Sequence, residues 1–336
     1  RRALRKIKPD VVLLVETEIW LNFLREASKS GAKVIIVNGR LSEKSAGRYA
    51  LIPKTMRRVL HYVDLALMQT SADANRLMRL GIRNTKIKIT GNTKFDQPFD
   101  IGENALTKEF RERFVMSDDA PLIVAASTHA PEERLILEAF KAVYKGLPDK
   151  LPRLMLVPRR PERFAEVADL IRETGFEWAK RSERPSARDR AAEIILLDSI
   201  GELRAVYPLA EIVFVGGSLI PRGGQNVLEP AAAKKAIVTG FYTMNFAAIT
   251  KEFSAQDALI QLPRLPEKIV PAKLAEIFAE LLRDDERREK LAENAFRVMQ
   301  SNRGATAKTI EHLKPIFEMQ AKVLTAEDAE SAEKIQ

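Results

Sequence analysis

A chain of 336 residues, 46% hydrophobic and 30% charged, is long enough for two α/β domains with their own cores, which excludes a disordered or fibrous protein. It has no cysteine, which excludes a disulfide scaffold, a cysteine nucleophile and thiolate metal sites, and fits a reducing compartment such as the cytoplasm. The net charge of +9 arises in the first hundred residues, where 20 Lys and Arg face 9 Asp and Glu, against 35 and 37 in the remainder; such a basic face serves nucleic acid, an anionic membrane, a phosphorylated substrate or solvent alone.

The chain opens on Arg1-Arg2-Ala3-Leu4-Arg5-Lys6 and reaches a strand almost at once, with no apolar signal core and no initiator methionine, the pattern expected of an internal start. No apolar run reaches the roughly 18 residues of a membrane-spanning helix. Runs rich in Val, Ile and Leu at 11–15, 33–37, 65–68 and 86–90 predict four buried strands. Further runs at 122–126, 154–157, 194–197, 212–215 and 236–239 predict a second series of five or six, with amphipathic helices between. This alternation argues for doubly wound α/β layers, with a (βα)-barrel as the competitor. A change of register at 95–110 sets the expected boundary, giving segments 1–100, 101–304 and 305–336. The first is expected to be incomplete, lacking its opening βα units. Helices are predicted at 284–300 and 305–320, and the polar tail at 325–336 is expected to fray.

The stretch Val213-Phe214-Val215-Gly216-Gly217-Ser218 runs a strand into glycines, which let backbone approach a ligand, and Arg222-Gly223-Gly224-Gln225-Asn226-Val227-Leu228-Glu229-Pro230 follows. Asn226 is placed to cap a helix over 227–234 whose free N–H groups would face an anion. Glu229 in its first turn either accepts hydrogen bonds from ribose hydroxyls or only balances the helix dipole. Neither Gly-x-x-x-x-Gly-Lys-Ser/Thr nor a strand followed by Gly-x-Gly-x-x-Gly occurs, which disfavours a P-loop kinase and a conventional NAD dehydrogenase. A sugar-nucleotide enzyme binding its donor in the second domain remains.

Seven ordered motifs sharpen that reading: Glu16-Thr17-Glu18-Ile19-Trp20, Asn38-Gly39-Arg40-Leu41-Ser42, Gly91-Asn92-Thr93-Lys94-Phe95-Asp96, Ser127-Thr128-His129, Val157-Pro158-Arg159-Arg160-Pro161-Glu162-Arg163-Phe164, Gly201-Glu202-Leu203 and the glycine-rich run. The set resembles that of the 3-deoxy-D-manno-octulosonic acid (Kdo) transferases. The resemblance implies a GT-B type α/β fold with two facing Rossmann-like domains. Segment 1–100 would be the C-terminal part of the acceptor-side domain, 101–304 the donor-binding domain, and 305–336 a closing helix and tail. It also implies transfer of Kdo from CMP-Kdo to the lipid A precursor at the cytoplasmic face of the bacterial inner membrane, with no cofactor and no nucleic-acid partner. Carried over from the family, the CMP contacts fall on Pro158 and Arg159, on Ile200, Gly201 and Glu202, and on Asn226, Val227, Leu228 and Glu229. The family's general base and membrane anchor would lie upstream of this chain, leaving it expected to be inactive alone.

The residues support these placements independently. Arg159 follows a predicted strand at the carboxyl edge of the sheet, where its fork can hold a phosphate or a cytosine carbonyl. Ile200 and Gly201 can offer backbone N–H groups at a helix start, with Glu202 otherwise a plain helix-start charge. Glu16 and Glu18 follow the first strand, and spacing leaves the choice open; the resemblance selects Glu16. Lys94 follows the fourth strand and can neutralise charge on a departing CMP. Arg40 and Ser42 are weaker candidates that also suit a plain turn. Of the three histidines only His129 falls near a cleft, and neither metal-ligand spacing nor an Asp-x-Asp pair occurs. Trp20 and Trp178 read as packing residues. Gln225 and Val227 stand where the family usually shows His and Pro, and Leu21 where it often shows Pro. A sugar-nucleotide epimerase of the same architecture and a basic nucleic-acid-binding protein are the rival readings, the latter without a recognisable module.

Overall fold

The structure, a computed structural model, describes residues 2–16, 19–98, 102–114, 120–147 and 151–333. The chain divides into two compact units, one formed by Arg1–Gln97 with Asn302–Gln336 and the other by Pro98–Ser301. The first contains strands β1 (Val11–Val15), β2 (Lys33–Gly39), β3 (Leu65–Met68) and β4 (Ile87–Ile89), all parallel in the order β1-β2-β3-β4. One face of this sheet buries Val34, Ile36, Ala66 and Met68 against Leu24, Met56, Leu60 and Leu77 of the flanking helices. On the other face Ile35 and Leu67 pack with Leu313 and Ile316 of the helix Ala305–Glu333. The closing helix is thus part of the first unit's core, because parallel strands must be covered on both faces. It continues through 325–333, where the sequence suggests fraying; 334–336 lie outside the described residues.

The second unit contains β5 (Leu122–Thr128), β6 (Arg153–Pro158), β7 (Trp178–Lys180), β8 (Ile194–Leu196), β9 (Ile212–Val215), β10 (Ala236–Thr239) and β11 (Ile260–Gln261). Their order is β11-β10-β9-β5-β6-β8-β7, all parallel. The central strands β5, β6 and β9 are buried nearly throughout, which is why they read as continuous Val, Ile and Leu runs. β7 and β11 escape the sequence pattern because they are edge strands of three and two residues with partly exposed side chains. The core packs Ile123, Leu154, Ile212 and Phe214 against Phe140 and Phe278 on covering helices.

From β5 the chain moves outward to β6 and then returns to lay β9 on the opposite side of β5. The strand order therefore reverses between β5 and β9. In open α/β sheets the crevice outside the carboxyl ends at such a reversal is where ligands bind.

Candidate donor site

At that reversal lies a cavity of about 220 Å³, lined by Ala126, Ser127, Arg159, Tyr207, Val215, Gln225, Asn226 and Glu229. The loops after β5 and β9 approach too closely for a side chain at Gly216, where a Cβ would lie 2.7 Å from both the Ser127 carbonyl oxygen and Thr128 Cα. Backbone, not side chains, therefore shapes this wall. Behind it sits the fully buried Glu132. Its Oε2 accepts from the N–H groups of His129 at 2.9 Å and Gly217 at 2.6 Å, and its Oε1 from Ser218 and Leu219, both at 2.9 Å. One carboxylate thus ties the loop after β5 to the loop after β9.

Of the residues the sequence singles out, the cavity brings together Arg159, Asn226 and Glu229. The Arg159 guanidinium is exposed and has no partner among the described residues, while its N–H donates to the Thr128 carbonyl at 2.9 Å. Pro158, Val227 and Leu228 are buried. Asn226 Oδ1 accepts from the Leu228 N–H at 3.0 Å. The helix behind it runs only over Leu228–Ala232, shorter than the predicted 227–234, because Lys234 turns the chain at φ +53°. Glu229 pairs with Arg204 at 3.0 Å. Ile200, Gly201 and Glu202 do not line the cavity. Ile200 is 80% exposed, Gly201 turns at φ +89°, and Glu202 is held by Arg181 at 2.9 Å and by the Ser199 hydroxyl. Burial pushes Glu202 up, but these hydrogen bonds outweigh it and leave its carboxyl below the usual range.

Beside the cavity, His129 and Gln225 meet at 3.3 Å between Nε2 atoms, above Gly217. Burial depresses the imidazole first and Arg222, Arg160 and Arg163 add to it, against the opposing pull of Glu133, so the ring is neutral near pH 7. His61 and His312 lie on helices.

In the first unit, the carboxyl ends of β1, β2 and β4 gather three charges. Glu16, at φ +62°, takes Arg40 Nε at 2.9 Å on Oε2 and Lys94 Nζ at 3.4 Å on Oε1. Asn38 Oδ1 accepts from the Thr93 N–H at 3.1 Å, and Asn92 Oδ1 from that of Lys94 at 3.0 Å, which fixes the turn carrying the lysine. Glu18 lies outside the described residues. Ser42 caps the helix Glu43–Ala50, accepting from the Ser45 N–H at 3.1 Å. Trp20 is 66% exposed and is not a core residue, contrary to the packing role expected for it; Trp178 is half-buried. Among the described residues no group of three or more His, Asp or Glu could hold a metal ion, and no helix is long and apolar enough to cross a membrane.

Sequence reasoning missed Glu132, Tyr207 and Arg204. A glutamate in a helix's first turn reads as dipole compensation, and only its position three residues after His129, at a turn already singled out, hinted at more. Tyr207 and Arg204 carried no motif of their own.

Two parallel-sheet units, one with a polar cavity at its strand-order reversal, define a two-domain α/β protein of the GT-B glycosyltransferase type. Residues 1–97 match the family described as 3-deoxy-D-manno-octulosonic-acid transferase (kdotransferase). The chain is 34% identical over 317 residues to the 3-deoxy-D-manno-octulosonic acid transferase of Haemophilus influenzae, covering 94% of this chain and 72% of that protein. With the enzyme of that description from Chlamydia trachomatis serovar D it shares 27% identity over 316 residues, 94% of this chain and 70% of that one. Among solved structures, the C-terminal CMP-Kdo binding domain of WaaA from Acinetobacter baumannii is 32% identical with a TM-score of 0.52, covering 58% of this chain and 98% of that domain. A UDP-N-acetylglucosamine 2-epimerase, 14% identical with a TM-score of 0.56 over 95% of this chain and 75% of that one, shares the fold alone. The chain belongs to the 3-deoxy-D-manno-octulosonic acid transferase family.

Proposed function

We propose that this protein transfers Kdo from CMP-Kdo to the lipid A precursor, with the second unit holding the donor and the first serving the acceptor. The observation that carries the reading is the cavity at the β5/β9 reversal, where Arg159, Asn226 and Glu229 converge within the unit that resembles a CMP-Kdo binding domain. Arg159 would take the phosphate or the cytosine carbonyl. Glu229 would accept from ribose hydroxyls, and the backbone at Asn226–Leu228 would face the phosphate. The reaction is a displacement in which an acceptor hydroxyl attacks the anomeric carbon as the bond to CMP breaks, the hydroxyl proton passing to a general base or to solvent. Negative charge then accumulates on the departing phosphate, and Lys94, ordered by Glu16, is suited to neutralise it. Ile200, Gly201 and Glu202, outside the cavity lining, would form a second wall met only by a bound nucleotide. The basic first hundred residues suit the acceptor's phosphates and an anionic inner-membrane surface.

Calorimetric titration with CMP and UDP tests the reading: CMP should bind more tightly. Arg159→Ala and Glu229→Ala should each weaken CMP by about 1–3 kcal/mol, the loss of one charge-assisted bond. Preference for UDP would favour an epimerase, and unchanged CMP affinity in both variants would remove the proposed site.

A further inference from the structure

The Glu229 carboxylate is used on one oxygen only. Arg204 Nε and Nη2 both end on Oε1, at 3.2 and 3.0 Å, and Oε2 has no partner among the described residues. The side chain is 17% exposed and lines the cavity, so the free oxygen belongs to a carboxylate that protein has largely enclosed. Tyr207 lines the cavity too. It is 2% exposed, and its hydroxyl has no hydrogen-bond partner among the described residues. That oxygen is not one of the fully enclosed unpaired polar atoms, so the access it retains is to the cavity. Burial, and then the Glu229 carboxylate, push the phenol well up from its ordinary value, which keeps it an O–H donor.

We infer that Tyr207 is a ligand-binding residue and Arg204 a positioning residue of one subsite for a vicinal diol, the ribose of the bound nucleotide. A diol offers two O–H donors and two oxygen acceptors. The open Glu229 oxygen takes an O–H, and the Tyr207 hydroxyl gives one to the neighbouring oxygen. Arg204, holding Oε1 alone, keeps the carboxylate turned so that the other oxygen remains available. Both protein groups face only the cavity, so a bound sugar missing one hydroxyl shuts water out and leaves a polar group unpaired. The subsite therefore discriminates ribose from deoxyribose. The inference rests on the nucleotide reading of the cavity.

The test is titration of the whole chain with CMP and with 2′-deoxy-CMP. The unaltered protein should prefer CMP by about tenfold, equivalent to about 1.4 kcal/mol. Tyr207→Phe and Arg204→Ala should each bring that ratio toward unity, and Arg204→Lys should restore part of it. Arg204 is half exposed, so its replacement leaves the core intact. A ratio that both variants preserve, with CMP still bound, overturns the inference alone. Failure of the unaltered chain to bind CMP overturns the nucleotide reading and the inference together.

Discussion

Glu132 accepts the backbone N–H of Gly217 at 2.6 Å, across the reversal in strand order that creates the cavity. Burial pushes this carboxyl above its ordinary range, and the four amides that point at its two oxygens oppose that rise. All four partners are donors, so the site is built for acceptors. Glu132→Gln turns two of those contacts into donor against donor at almost unchanged volume. Leaving two N–H groups unpaired, one buried and one partly buried, at about 1–3 kcal/mol each should cost about 2–6 kcal/mol. Chemical denaturation should show this as a lower midpoint, and CMP affinity should fall with it because the loops after β5 and β9 separate. An unchanged midpoint would mean that the glycines hold the loop without the carboxylate.

Much of this was legible in the sequence for a physical reason. A strand buried on both faces must be apolar at every position, so β5, β6 and β9 announce themselves, whereas the edge strands β7 and β11 do not. Arg159, Asn226 and Glu229, which the resemblance selects and which each follow a strand or open a helix at the carboxyl edge, line the cavity. Glu16 and Lys94 sit 3.4 Å apart although 78 positions separate them, a juxtaposition that spacing alone could not supply. Tyr207 was invisible since an aromatic in a helical stretch reads as core, and it is core on every side but one. The place of the closing helix was hidden too, because amphipathicity reveals an apolar face but not which sheet it covers.

His129 gives a pH dependence whose sign follows from its depressed pKa. The unfolded chain takes up a proton near the ordinary value of 6.5 while the folded imidazole stays neutral. Its contribution is therefore present above that value and lost as pH falls through the lower folded one. Thermal unfolding followed from about pH 7.5 to about pH 5 should fall less in His129→Gln than in the parent. Parallel curves would show that the ring is not held neutral by its surroundings.

The turn between the helices Glu43–Ala50 and Pro53–His61 exposes Leu51 at 81% and Ile52 at 49%, with Arg48, Lys54, Arg57 and Arg58 exposed around them. An apolar tip ringed by cations suits an anionic bilayer, each cation near the surface being worth about 1 kcal/mol at low salt. Sedimentation with vesicles containing anionic lipid should show binding that weakens as salt rises. Leu51→Glu with Ile52→Glu should reduce it by about tenfold or more. Equal, salt-independent association with neutral and anionic vesicles would make this face ordinary solvated surface.

Asp96 joins the turn after β4 to the start of the helix Ala305–Glu333, and its loss should be read there. Oδ1 accepts the Gly304 N–H at 2.6 Å and Oδ2 that of Thr306, so a carboxylate more than two hundred positions away performs the work of an N-cap. Gly91, in the same motif, leaves room for Ala305, whose Cβ lies 3.2 Å from where a Gly91 Cβ would stand. Farther along, Leu313 and Ile316 cover Ile35 and Leu67, so the cap and the apolar face fix one helix at two points. Burial pushes the Asp96 carboxyl up, but the Thr306 and Gly304 amides, with Arg303 nearby, prevail and hold it below the ordinary 3.8. A depressed acid contributes stability that is present above its unfolded pKa and lost as pH falls through the folded one. Asp96→Ala should therefore cost about 0.5–2 kcal/mol at neutral pH, the range for a lost cap, and less as the parent's own carboxylate protonates in acid. Hydrogen exchange should locate the loss: amides at 304–308 should exchange faster in the variant while those of β5 and β9 keep their protection. Uniform acceleration across the chain would instead mean that the helix start is no weaker than the rest, and that Asp96 supports the whole fold.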